Sequence, residues 1–184
     1  MPGVAAVRVG FDGKLPSRGD FVGRGLPRSF LAPWQAWVDA ALMESRRVLG
    51  EGWVPAWMQA PIWRFALPGG ACGPEAVLGL TLPSVDRAGR HYPLTVAAVF
   101  GSGAPGDEGW LDAVEALALD ALAQDRSPEV LMDALAGVAA PGLEPGVAGW
   151  WTTGSPLVPA VRMDVAGLPD PGLFAGMIDA GGAA

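Results

Sequence analysis

The chain contains very few of the residues that bind metals or form disulfides. Its 184 residues include one cysteine, Cys72, and one histidine, His91. A single cysteine excludes an intramolecular disulfide, and one histidine beside it does not supply the paired ligand spacing that zinc sites use. We therefore predict no metal site and no cofactor.

Long apolar runs are also missing, although 51% of the residues are hydrophobic. No run approaches the ~18 residues of a membrane span, and residues 1–5 lack the basic start and apolar stretch of a secretory signal. We therefore expect a soluble, cytoplasmic protein with no direct membrane insertion. The length predicts one domain that spans residues 1–184.

Basic residues are scarce in the second half of the chain. Residues 1–90 carry ten basic and seven acidic side chains, whereas residues 91–184 carry two and twelve. The formal net charge of −7, with no basic stripe among aromatic residues, argues against a nucleic-acid partner. The asymmetry indicates either a face able to meet a basic partner or an ordinary solvated acidic helix face.

Hydrophobic periodicity predicts both strands and helices. Strands are expected at 4–9, 62–67, 76–82, 94–100, 149–153 and 160–163, the first ended by a glycine-rich turn at 10–13 and the last near a sheet edge. Helices are expected from a Ser29 cap to Gly50, at 107–124, from a Ser127 cap to Gly137, and as one short helix after Leu173, with a short helix or a turn at 53–58. The strands at 76–82 and 94–100 are predicted to pair antiparallel, because their connection is too short for a crossover helix. The eight tryptophans are expected mainly in the core, with some as exposed anchors.

Two loops, 10–27 and 83–93, combine glycine and proline with charges of both signs. Their candidate protein-binding residues are Arg18, Asp20, Arg24, Asp86, Arg87 and Arg90. In one interpretation these side chains are purely architectural, because pairs among them lock the loops through bidentate hydrogen bonds. In the other, the loops form a recognition surface.

The same loops contain residues that resemble two catalytic motifs, and neither motif is complete. The segment 10–14 resembles a phosphate-binding loop but has Arg8 where that motif needs a glycine and Leu15 where it needs Ser or Thr. Ser84, Asp86 and His91 lack the glycine elbow and oxyanion hole of a hydrolase. We expect no catalytic residues. The alternative is a small-ligand sensor or uncharacterised hydrolase that uses the 84–92 loop.

Four ordered segments are similar to the TagF family of type VI secretion-associated proteins. They read GKLPSRGDFV at 13–22, SRRVLG at 45–50, APIWRF at 60–65 and PSVDRAGRHYPL at 83–94. Residues 150–152 and 167–169 also resemble the C-terminal part of that family, so the resemblance covers most of the chain.

The resemblance implies a fold, a function and a partner. The fold would be α/β, a single compact domain whose mostly antiparallel central sheet is flanked by helices on both faces. The function would be that of a non-enzymatic cytoplasmic regulator that represses type VI secretion after translation. Its implied partner is a forkhead-associated scaffold protein of the secretion system.

Overall fold

The structure, a computed structural model, describes residues 7–101, 106–142 and 146–182. Within these ranges seven strands form one sheet in the spatial order β2-β1-β5-β4-β3-β6-β7, and every neighbouring pair is antiparallel. Their bounds are β1 Arg8–Gly13, β2 Val22–Arg24, β3 Trp63–Leu67, β4 Ala76–Leu82, β5 Leu94–Phe100, β6 Gly149–Thr152 and β7 Val161–Met163. The three central strands are buried along their whole length, as expected when both faces of a sheet are covered.

Helices cover both faces of the sheet. They are α1 Arg28–Leu49, α2 Trp53–Trp57, α3 Glu108–Ala123, α4 Pro128–Ala136 and α5 Phe174–Ile178. Side chains of α1, α2 and α5 join one core cluster, and those of α3 and α4 join the other. The α/β fold with an antiparallel sheet between two helical layers is therefore confirmed.

Strand residues alternate between the two cores. Phe65 on β3 faces the α1 layer, while Ala66 beside it faces the α3 layer. A Cβ at Gly79, the β4 residue paired with Phe65, would lie 2.7 Å from that ring, so glycine makes room for it. Trp34 of α1 stands at the centre of this layer, with the rings of Phe65 and Trp150 at 4.8 and 6.0 Å. The expected core placement of these tryptophans is confirmed.

Most predicted elements are confirmed, including the exact bounds of the strands at 76–82 and 94–100 and their antiparallel pairing. The first strand is a correction: residues 10–13 are strand rather than turn, and residues 4–6 of the prediction lie outside the described chain. A Cβ at Gly10 would collide with the carbonyl of Arg24, and one at Gly13 with that of Pro93. Glycine is needed at these two strand positions because another backbone segment passes close to each of them. The sequence pattern does not distinguish such a glycine from one in a turn.

Two further expectations need correction. The loop at 14–27 contains the short strand β2. Helix α1 starts at Arg28 after Pro27, and Ser29 Oγ donates a hydrogen bond to Glu75 Oε2 at 2.9 Å instead of capping the helix. The C-terminal end is as predicted, because Gly50 adopts a φ of 53° that favours glycine.

The topology places two loops together. Strands β1 and β4 both pair antiparallel with β5. The C-terminal ends of β1 and β4 therefore lie at the end of the sheet where β5 begins. The segments that follow β1 and β4 therefore meet there. None of the helices in the described ranges combines the length and the apolar character that a membrane-spanning segment needs.

Candidate functional site

The candidate site is the two-loop surface, which comprises residues 14–24 and 83–93. The second loop is a structured hairpin between β4 and β5. Val85 pairs with His91 in a β-bridge, and the backbone N–H of Asp86 donates to the carbonyl of Arg90 at 3.0 Å. Gly89 turns the chain with a φ of 79°. The loop is thus ordered by its own backbone.

Hydrogen bonds join the two loops directly. The backbone N–H of Arg87 donates to the carbonyl of Arg18 at 2.8 Å, and Ser84 Oγ donates to the carbonyl of Lys14 at 2.7 Å. Ser17 Oγ donates to the carbonyl of Arg126, which ties the first loop to the α3–α4 connection. Trp57 of α2 donates from Nε1 to the carbonyl of Ser84 at 3.1 Å. Elements from both helical layers therefore hold the surface in place.

Asp86 is the most buried charged group of the site. Its carboxylate accepts from Lys14 Nζ at 2.8 Å, from Arg90 Nε at 2.7 Å and from the backbone N–H groups of Ala88 and Arg90 at 2.9 Å. Burial acts to raise the pKa of Asp86, but the hydrogen bonds from Lys14 and Arg90 outweigh it and hold the pKa well below its usual range. Asp86 is thus an ionised tether that organises the hairpin.

Arg18 and Arg24 share a carboxylate on α4. Their guanidinium groups lie 3.3 and 3.2 Å from opposite oxygens of Glu129, and all three side chains are exposed. The backbone N–H of Glu129 itself, the Ser127 hydroxyl and the two arginines lower the pKa of this carboxyl. Exposed ion pairs of this kind contribute little to stability.

The structure brings the six candidate residues to one surface but in different settings. Asp86 and Arg90 are bound to each other, and Arg90 also donates to the carbonyl of Gly19. Arg87 donates to the carbonyl of Ser17. Asp20 is exposed, and its carboxylate accepts only from the N–H of Phe21 among the bonds of the described residues. The Asp86–Arg90 pair fits the architectural interpretation, while the exposed arginines remain candidates for recognition.

Cations outnumber carboxylates at this surface. Lys14 and Arg90 share Asp86, Arg18 and Arg24 share Glu129, and no carboxylate in the described ranges pairs with Arg87. Five cations therefore face three carboxylates when the exposed Asp20 is included. This local excess of positive charge contrasts with the acidic character of the whole chain.

The hydrolase candidates do not line up for proton transfer. Ser84 Oγ donates hydrogen bonds to backbone carbonyls, and the Asp86 carboxylate accepts hydrogen bonds from Lys14 and Arg90. The ring of His91 packs edge-on against that of Trp53, with their centroids 5.4 Å apart. Burial, and to a smaller extent the positive charge of Arg46, lowers the pKa of His91. A nucleophile needs a base within hydrogen-bond reach, and this arrangement directs Ser84 elsewhere.

Metal-ligating residues do not cluster in the described ranges: no group of three His, Cys, Asp or Glu side chains there is arranged to hold an ion. Cys72 is buried, and burial raises the pKa of its thiol to about 12. The thiol therefore stays protonated at neutral pH.

Sequence reasoning missed a second charged cluster around Arg64. This β3 side chain is nearly buried and donates to Glu108, Asp112 and Glu115 of α3 at 2.8–3.0 Å. Burial acts to lower the pKa of Arg64, but these bonds raise it above the ordinary value. The signal in the sequence is a lone arginine in the apolar strand predicted at 62–67, together with carboxylates at helical spacing in the helix predicted at 107–124. The cluster accounts for part of the acidic face of α3.

Together these observations define a mixed α/β protein whose sheet edge carries a rigid, locally cationic surface. The family model of the TagF N-terminal domain, type VI secretion system-associated, matches residues 10–138. The crystal structure of PA0076 from Pseudomonas aeruginosa PAO1 is similar, with 35% identity, 94% of each chain covered and a TM-score of 0.85. No curated protein matches the sequence significantly. The chain belongs to the TagF family, which is associated with type VI secretion.

Proposed function

We propose that this protein represses type VI secretion after translation by binding a forkhead-associated scaffold protein in the cytoplasm, without catalysing a reaction. Membership of a secretion-associated family supports a role in that system. The partner and the repression come from the family resemblance of the segments at 13–22, 45–50, 60–65 and 83–94. Two of these four segments build the two-loop surface.

The observation that carries the proposal is that cations outnumber carboxylates on a surface whose two loops are held in place by hydrogen bonds. A surface held by backbone hydrogen bonds loses little conformational entropy when it binds, so more of the contact energy appears as affinity. Exposed arginines at its rim attract carboxylates or phosphates of a partner and speed association. Catalysis requires convergent acid–base groups, whereas recognition requires only this shape and charge.

The test is binding of a purified forkhead-associated scaffold protein of the type VI secretion system, measured by biolayer interferometry. We expect the double variant Arg18→Ser, Arg24→Ser to weaken binding about 5- to 10-fold, mainly through a slower association rate, and to flatten its salt dependence. Arg47→Ser on α1 is the control, because this arginine is also exposed with one ion pair, to Glu44. It should leave binding unchanged.

Two results would contradict the proposal. The first is that the wild-type chain does not bind this scaffold under conditions in which a known interacting pair from the secretion system does bind. The second is equal loss of binding in the Arg18, Arg24 variant and the Arg47 variant, because the effect would then follow overall charge rather than the two-loop surface.

A further inference from the structure

An apolar groove opens beside the two-loop surface. It has a volume of about 220 Å³ and lies where the ends of α2 and α3 meet the two loops. Its apolar lining consists of Pro16, Trp57, Met58, Pro83, Val85 and Leu122. The groove thus draws on both loops and on both helical layers.

The groove is large enough for one bulky apolar side chain. An apolar cavity of roughly 150 Å³ already holds a benzene ring. Met58 at its rim is 62% exposed, and Val54 one turn earlier and Leu119 on α3 are also exposed. Val54 and Leu119 lie one helical turn before the lining residues Met58 and Leu122. Single exposed apolar residues are ordinary, but a contiguous group of them marks an interaction site. A flexible methionine at the rim adapts its shape to an inserted side chain.

The charges around the groove favour an acidic occupant. On the α3 side Asp120, two positions before the lining residue Leu122, pairs with Arg126 within the chain. On the loop side cations are in excess, and Arg87 follows the lining residue Val85 by two positions. A basic segment would meet like charges there. In a symmetric contact, where this surface meets itself, a second copy of this chain would also oppose cations to cations.

We propose that this groove binds an acidic segment of a partner protein, with one bulky apolar side chain inserted between Met58 and Leu122 and carboxylates facing Arg18 and Arg87. The inference rests on the proposed function for the identity of the partner, because it assigns this groove to the same regulatory contact. The apolar anchor supplies affinity through buried area, and the arginines fix its orientation through charge-assisted hydrogen bonds.

The experiment uses a random 12-residue peptide library displayed on phage and the full chain. Selection on the wild-type protein, with counter-selection on Met58→Asp, is expected to enrich peptides with net negative charge around a Phe, Leu, Ile, Met or Trp. Synthetic versions should bind Met58→Asp at least 10-fold more weakly than wild type. Met43→Asp on α1 is the matched control, because Met43 is 63% exposed, and it should bind these peptides like wild type.

Other outcomes would overturn the inference. These are enrichment of basic peptides, no enrichment over the Met58→Asp counter-selection, or concentration-dependent self-association that Met58→Asp abolishes, which would assign the groove to a second copy. Binding of the scaffold protein separates the two proposals. If it binds wild type and Met58→Asp equally, the groove assignment fails while the proposed function stands. If it does not bind wild type, the proposed function fails and the peptide selection alone decides the groove.

Discussion

Two charged clusters in this protein have opposite composition. At the two-loop surface a fully buried carboxylate, Asp86, is held by the buried Lys14 and the exposed Arg90. Beneath α3 the nearly buried guanidinium of Arg64 is held by Glu108 and Asp112, which are largely exposed, and by the less exposed Glu115. If the Asp86 carboxylate is removed, Lys14 remains as a buried ion without its partner. If the Arg64 guanidinium is removed, the remaining carboxylates are ions that water reaches.

The exposure of the partner ion, more than the number of ion pairs, decides what such a cluster contributes to the free energy of unfolding. A buried ion without its partner loses hydration that nothing replaces. An exposed ion without its partner is solvated again, so its loss costs little. The two clusters should therefore respond differently to equivalent deletions.

The largest effect is expected for Asp86→Ala. This change leaves Lys14 buried without its carboxylate and removes the acceptor of two backbone N–H groups in the hairpin. We expect the Tm to fall by roughly 10 °C, measured by differential scanning calorimetry. Asp20→Ala is the control, since this exposed carboxylate accepts a single local hydrogen bond, and its Tm should stay within about 2 °C of wild type. An equal fall in Tm for the two variants would show that Asp86 does not organise the hairpin.

A smaller effect is expected for Arg64→Met. The methionine fills part of the apolar space beside β3, and the carboxylates left behind on α3 reach water. We expect the Tm to fall by roughly 5 °C, because hydrogen bonds to a charged group are lost without a stranded buried ion. A fall as large as that of Asp86→Ala would show that the exposure of the partners does not govern the cost.

The smallest effect is the pH dependence of stability. The folded pKa of Asp86 lies below its unfolded value of about 3.9, so its contribution is complete above that pH and is lost as the pH falls through the folded pKa. Asp12 acts in the opposite direction, because burial raises its pKa and outweighs the hydrogen bond from Gln35. Its unfavourable ionisation is therefore relieved on acidification.

Urea unfolding between pH 6 and pH 2 tests this opposition. Compared with wild type, Asp86→Ala should lose less stability over this range, whereas Asp12→Asn should lose more, because it lacks the group whose cost acid relieves. Parallel curves for wild type and Asp86→Ala would mean that Asp86 does not carry the acid sensitivity.

Local patterns were sufficient to locate most elements. The apolar strand at 94–100 and the Ser127-Pro128 helix start have signals contained within a few residues, and both are confirmed. The first strand is predicted at 4–9 with a turn at 10–13, but the structure has strand at 8–13, because Gly10 and Gly13 are required by backbones that approach from residues 24 and 93. Such neighbours are remote in sequence, so no local pattern reports them.

The candidate site was anticipated in its parts but not in its arrangement. The two loops and their charged residues were identified from composition, yet the Lys14–Asp86 pair joins residues that are 72 positions apart. The partners of Arg64 and the lining of the groove also come from separate elements. Charge counts alone do not reveal which carboxylates are already neutralised within the fold.

The family resemblance, the order of helices and strands and the segments that carry charge follow from the sequence alone, because these properties depend on side chains that are close along the chain. Only the tertiary structure decided which charges are buried, which are shared and where an apolar groove opens between the loops. Burial and ion pairing depend on chain packing across the sheet edge, and the antiparallel order of β1, β5 and β4 brings those distant segments together.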